Sequence, residues 1–458
     1  MTEDENFDKL RISIVTGRRW DRVNWWYKPA HVCRRWRNLI LGSASFLGLD
    51  LVCTLGTPVA DMLANSPTLP LVIDYLGGGR DVTAEEEEGI FIALEQPNPI
   101  RCIRVGLSLH GMQKFVMAID HELPILEYLV LVMTMEDDDD TFVFPETIQA
   151  PRLHHLGLVG VAPPIRSRLL TTAVGLVTLR IFMDDSFTYL NPNTLLQWIS
   201  PLSQLETLEI ITFPNLETKL SHTPTITYAT LPNLCLLSFL GASAYLEELI
   251  RQIATCRLER LRVMFFEELA FSIPCLVRFM NTTENKMLMF VSAKFEFSRQ
   301  RVCVQTYPHE ENKRFSLSIS VDSWNLNGHI SSMAQIVDAL GQVFSAVEHL
   351  ILDHVKDGRS SEEVFDLEAD RTEWHKLLRP FSNVKKLRVN HGLLDGFSRF
   401  LRLDDGELPP KLLPELQEIT YSGNSNPGDA FTSFIDARQN AGRPVSFKLV
   451  HRSPKSSP

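Results

Sequence analysis

Apolar residues recur along this chain as a six-residue phrase, apolar-x-x-apolar-x-apolar. It reads IRCIRV from Ile100, LEYLVL from Leu126, LHHLGL from Leu153, LVTLRI from Leu176, LETLEI from Leu205, LCLLSF from Leu234 and LERLRV from Leu258, and it returns as VEHLIL from Val347, VKKLRV from Val384 and LQEITY from Leu416. Its last three positions alternate as in a strand with one buried face, so the fourth and sixth residues face a core and the fifth faces away. The first seven copies start 26, 27, 23, 29, 29 and 24 residues apart. Between copies, 192–202, 242–256, 331–344 and 395–405 read as helices, the first with Asn191 and Asn193 as candidate caps. Strand, turn and helix at a fixed short period place parallel strands side by side with helices outside, because no single unit can bury its own apolar face. Leu129, Leu156, Leu179, Leu208, Leu237 and Leu261 are therefore expected in adjacent parallel strands of one continuous core.

The mean spacing, about 26 residues, lies within the 20–29 of leucine-rich repeats. The expected fold class is α/β: a leucine-rich-repeat-like solenoid, parallel strands with outer helices, preceded by a short α-helical segment. The reading divides the chain into a helical segment 1–55, a solenoid 56–442 that is irregular at 265–345, and a basic flexible tail 443–458. In the irregular part MLMFVSA from Met287 and RFSLSISV from Arg314 are apolar enough for strands but lack the phrase. The asparagine that many such repeats place after the phrase is missing from most copies, so irregular turns are expected.

Composition narrows the class further. At 44% hydrophobic and 22% charged residues the chain is a folding one. The net charge is −11, with residues 1–41 and 443–458 each at +4. That balance argues against nucleic acid or an anionic membrane as partner. Seven cysteines without a C-x-x-C pair fit a reducing compartment. With no secretory pattern in MTEDENFDKL and no run of 18 apolar residues, the expectation is an intracellular protein, cytoplasmic or nuclear.

No catalytic, cofactor or metal motif emerges. H-E-x-x-H, G-x-S-x-G and the phosphate-loop and dinucleotide glycine patterns are absent. Gly77-Gly78-Gly79 reads as a turn, and the acidic runs at 85–88 and 136–140 read as solvated segments. His154 and His155 are adjacent in a strand and face opposite sides. One pattern stands out: the fifth position of the phrase is arginine at Arg104, Arg180, Arg262 and Arg388. These would form a row on the concave strand face, suited to carboxylate or phosphate on a partner protein whose identity the sequence leaves open.

Ahead of the repeats, residues 30–51 form an amphipathic stretch ended as a helix by Gly42. Val32, Trp36 and Leu39 share one side, with Cys33 and Ile40 beside them. Val32-Cys33-Arg34-Arg35-Trp36 and the later Ser43-Ala44-Ser45-Phe46-Leu47 resemble the second half of an F-box. Coupled to repeats, the chain is similar to the F-box and leucine-rich-repeat-like proteins of fungi, through Gly56-Thr57-Pro58 and Leu69-Pro70-Leu71. The resemblance implies that Val32, Cys33, Trp36, Leu39 and Ile40 meet the adaptor subunit of a cullin-RING (SCF-type) ubiquitin ligase, that the Trp36 ring packs on neighbouring apolar residues, and that the repeats present a target. The first half of the motif is not recognisable: 8–30 lacks Leu-Pro-x-Glu and is crowded with Trp20, Trp25, Trp26 and Tyr27. Two other readings compete: a repeat scaffold with no ligase link, in which 30–51 caps the first repeat, and an α/β enzyme for which no nucleophile and base are found.

Overall fold

The computed structural model describes residues 26–64, 68–76, 82–96, 98–134, 142–183, 190–212, 227–266, 271–281, 290–298, 301–308, 316–322, 329–355, 371–390, 393, 397, 400, 412–422 and 429–449. They fall into two compact units, one within 1–234 and 252–254, the other within 235–251 and 255–458. Residues 8–25, Gly77-Gly78-Gly79, the acidic run 136–140 and most of the helix expected at 395–405 lie outside the described residues.

Unit 1 contains helices α1 (Tyr27–Ala30), α2 (Arg34–Gly42), α3 (Ala44–Leu47), α4 (Val59–Ala64), α5 (Ala84–Leu94), α6 (Leu109–Ala118), α7 (Arg168–Thr172) and α8 (Pro192–Ile199). Its strands are β1 (Leu51–Thr54), β2 (Leu71–Asp74), β3 (Ile100–Leu107), β4 (Tyr128–Met133), β5 (His155–Val159), β6 (Thr178–Met183) and β7 (Thr207–Thr212). They lie in chain order and every pairing is parallel. Cys53, Ile73, Ile103, Leu129, Leu156, Leu179 and Leu208 face one another in register, and all are buried. Each leucine of that ladder contributes about 1.5–3 kcal/mol by leaving water. The helices start where side chains can satisfy their first N–H groups. Thr83 and Glu86 form a reciprocal capping box on α5, Ser108 accepts from Gly111 N on α6, and Asn191 accepts from Asn193 N at 2.8 Å on α8, with Pro192 in the first turn. Asn193 lies inside that helix. Because β1 pairs with β2, the strand array begins at Leu51, inside the segment expected to be helical.

Ala229–Leu231 (β8) and Ile253–Thr255 (β10) form a separate two-stranded ladder. Unit 2 holds β9 (Leu236–Gly241), β11 (Arg260–Phe266), β12 (Ser292–Phe297), β13 (Arg301–Tyr307), β14 (Leu317–Asp322), β15 (His349–His354), β16 (Lys386–Asn390), β17 (Glu418–Ser422) and β18 (Ser446–Leu449). Its helices are α9 (Ser243–Ile250), α10 (Pro274–Asn281), α11 (His329–Ala339), α12 (Gly341–Phe344), α13 (Arg371–Leu378) and α14 (Asp429–Asn440). The strand order is β9-β11-β14-β13-β12-β15-β16-β17-β18. All neighbouring strands in this order are parallel except at β13, which is antiparallel to both β12 and β14. The irregular stretch is therefore a three-stranded meander that folds back toward β11, leaving both of its outer strands parallel to the array. Leu237, Leu261 and Leu317 are in register on one side of it, and Ala293, Leu350, Leu387 and Ile419 on the other. The expected tail is corrected at its start: β18 pairs in parallel with β17.

Buried polar groups tie down the irregular connections of unit 2. The Glu247 carboxylate on α9 accepts from Cys275 N at 2.7 Å and Leu276 N at 2.8 Å, capping α10 from a neighbouring helix. Leu413 takes a left-handed φ of 47°, and the buried Arg438 donates to the carbonyls of Leu412, Leu413, Pro414 and Leu416 around it. Among the described residues no helix is long and apolar enough to cross a membrane.

Candidate interaction surfaces

The amino-terminal elements are anchored by Trp26 rather than by the amphipathic helix. Trp26 is buried and its Nε1 donates to Asp50 O at 3.0 Å, with Ala30 and Leu49 buried too. Helix α2 buries none of its residues. Val32 is 65% exposed, Trp36 52%, Leu39 62% and Phe46 91%; Cys33 is exposed and Ile40 half-buried. The expected packing of the Trp36 ring is thus not observed, and α2 does not cap the first repeat with its apolar side. Four large apolar side chains within fifteen positions instead face solvent, next to Arg34 and Arg35. Exposed apolar groups at this density mark contact surfaces in soluble proteins.

The strand faces turned away from the ladder of leucines are the second candidate, and the two units differ there. On unit 1, Asp74, Arg104, Val130, Gly157, Arg180 and Glu209 are in register across β2 to β7. Arg104 is buried, and its Nη1 lies 2.8 Å from Asp74 Oδ2. Arg180 Nε lies 3.3 Å from Glu209 Oε1. Between these pairs the Tyr128 and His155 rings meet at 5.1 Å. Burial raises the Tyr128 hydroxyl pKa, and the nearby Arg104 and Arg180 charges partly oppose the rise. One row along, Val132, Val159, Phe182 and Ile211 are in register and buried. Gly157 fits because a Cβ there would come within 3.1 Å of Val130 Cγ2.

On unit 2 the same face is polar. Ser238, Arg262, Ser318, Gln305, Lys294, Ile351, Arg388, Thr420 and Lys448 are in register from β9 to β18. Lys294 Nζ lies 2.6 Å from Glu296 Oε1 and 2.9 Å from Asp353 Oδ2, and Asn390 Nδ2 donates to Asp353. Burial disfavours the Lys294 charge, but its bonds to Glu296 and Asp353 outweigh that and hold its pKa above the ordinary lysine value. Arg301 grips Asp322 with two nitrogens, at 2.6 and 3.1 Å. The Cys303 thiol sits 3.5 Å from Ser318 Oγ, and burial raises its pKa. Arg262 and Arg388 are exposed.

The four arginines expected to act as one row are thus divided. Arg104 and Arg180 are engaged by carboxylates of unit 1, whereas Arg262 and Arg388 lie on the open face of unit 2. Sequence reading missed the cluster of Lys294, Glu296, Asp353 and Asn390 because β12 lacks the phrase. The alternation in AKFEF (293–297), apolar in and charged out, is the signal that could have found it.

No family model matches the chain, and no curated protein matches it. Among solved structures, the chain is similar to the leucine-rich-repeat-containing protein LegL7 from Legionella pneumophila. The identity is 11% and the TM-score 0.22, over 89% of this chain and 94% of that one. The mixed α/β fold described above stands on the strand order and register within each unit.

Proposed function

We propose that the chain is a non-enzymatic, intracellular substrate-recognition adaptor of a cullin-RING ubiquitin ligase. Helix α2 meets the ligase adaptor subunit, and the strand faces meet a target protein. The observation that carries this reading is the uncovered apolar side of α2: Val32, Trp36 and Leu39 lie at the positions of the F-box-like motif and remain exposed. A helix held to the body through Trp26 keeps that side available for another chain. Repeats with in-register strand faces supply a second, separate surface, as a receptor requires.

Co-purification with the ligase adaptor tests the proposal. Wild type is expected to retain the adaptor and Trp36→Ala to lose it. Because the ring is half exposed, the variant should melt within a few degrees of wild type, which separates lost binding from lost folding. Equal recovery by both proteins, or by neither, counts against a ligase role. The second reading, an interaction scaffold with no ligase link, draws on the absence of Leu-Pro-x-Glu from 8–30 and would leave the strand faces as the sole binding surface.

A further inference from the structure

We infer that the strand face of unit 2 receives an extended, carboxylate-rich segment of the partner protein, crossing the strands from β11 to β16. The inference rests on the reading of the strand faces as the target-binding surface. Among the described residues, the four carboxylates on this face are already engaged. Glu296 and Asp353 hold Lys294, Asp322 holds Arg301, and Glu418 holds Lys448 at 3.1 Å. Arg260 and Arg262 on β11, and Lys386 and Arg388 on β16, share the same face and make no ion pair among the described residues. Among the described residues four cations on this face thus lack an ion pair, Lys386 standing in register beside the already engaged Glu418, in a chain whose net charge is −11. A local field opposite in sign to the whole steers and selects an acidic partner.

Geometry specifies the spacing of the acids. Five strand steps separate Arg262 from Arg388, through Ser318, Gln305, Lys294 and Ile351. At about 4.8 Å per step the two cation pairs stand roughly 24 Å apart. An extended chain advances about 3.3–3.6 Å per residue, so acids about seven positions apart would reach both ends. The ground between them offers hydroxyl and amide groups from Ser318 and Gln305, the apolar Ile351, and a Lys294 ammonium outweighed by the two carboxylates of Glu296 and Asp353, so the stretch of partner lying over it must be uncharged. A phosphate calls for donors converging on one point, whereas cations set out in two pairs suit single charges distributed along a strand. The source of the anion is therefore carboxylate.

Fluorescence anisotropy on the full chain tests this with a labelled synthetic peptide bearing two aspartates at each end of a five-residue Gly/Ser spacer. Saturable binding is expected at 0.1 M salt. It should weaken sharply at 0.5 M, since the screening length falls from about 10 Å at 0.1 M toward 3 Å at 1 M. Arg262→Gln with Arg388→Gln should weaken it about tenfold or more, while the Lys replacements at both sites retain it within about threefold. Arg379→Gln, at an exposed arginine paired with Asp338 beyond α13, should leave it unchanged. Absence of binding at 0.1 M salt, equal binding by the double Gln variant, or indifference to halving the spacer overturns the inference. So does preference for a peptide carrying one phosphoserine in place of the aspartates. A peptide failure alongside intact adaptor co-purification overturns this inference alone. Peptide binding without adaptor capture leaves it standing and overturns the ligase reading.

Discussion

Arg104 shows how a residue's role depends on a partner thirty positions away. Its guanidinium is buried against Asp74 on the neighbouring strand, so neither charge is available to an outside ligand. Removing one member of such a pair leaves the other uncompensated in a low-dielectric site. Arg104→Ala is expected to cost about 3–5 kcal/mol in urea unfolding, whereas Arg104→Met combined with Asp74→Leu should recover most of the loss. A single variant as stable as wild type would show the pair to be inert. The fifth-position pattern in the sequence identified the strand face of Arg104 correctly but not its occupant, because LPLVID (69–74) does not carry the phrase and Asp74 could not be aligned with it. Trp36 is the converse case. Its amphipathic spacing is the same whether the cover comes from the chain's own body or from another protein, and only the exposure distinguishes them.

At the scale of elements, β18 is held to the array on one side, and Lys448 reaches from it to Glu418 on β17. The hydrogen bond from Lys448 lowers the Glu418 pKa below the ordinary glutamate value. A lowered carboxylate pKa gives stabilisation that is present above the unfolded value and is lost as pH falls through the folded one. Amide protection factors for 446–449 are therefore expected to drop first when the pH is taken below about 4.5, while those of β16 persist. Protection at β18 that is flat across this range would dissociate the strand from the ion pair. The meander of β12, β13 and β14 was only partly legible. One of its strands, β14, was expected from RFSLSISV, but the run MLMFVSA reaches β12 only at Ser292 and Ala293, and RVCVQTY (301–307) lacks the leucine spacing and pairs antiparallel. A period search finds repeats and passes over an insertion that obeys the pleat alone.

At the scale of the whole molecule, six of the seven cysteines make each unit separately observable. Cys33 and Cys256 are exposed, Cys53 and Cys102 are buried in unit 1, and Cys275 and Cys303 are buried in unit 2. Burial also pushes the Cys53 thiol pKa up to about 12, which suppresses the reactive thiolate. Pulsed iodoacetamide labelling read by peptide mass spectrometry should modify Cys33 and Cys256 in native protein, and the buried four only as urea opens their units. Native labelling of Cys53 at the rate of Cys33 would refute the burial. The sequence by itself determined the repeat period, the α/β class, the buried fourth position of each copy of the phrase and the apolar side of the amino-terminal helix, because these follow from local alternation and helical spacing. Tertiary structure alone decided where the meander inserts, that β1 and β18 belong to strand arrays, which arginines are neutralised and which remain open, and that Trp36 is uncovered. Each of these depends on which distant strand lies alongside, a choice made by the summed burial of many side chains rather than by any local run of residues.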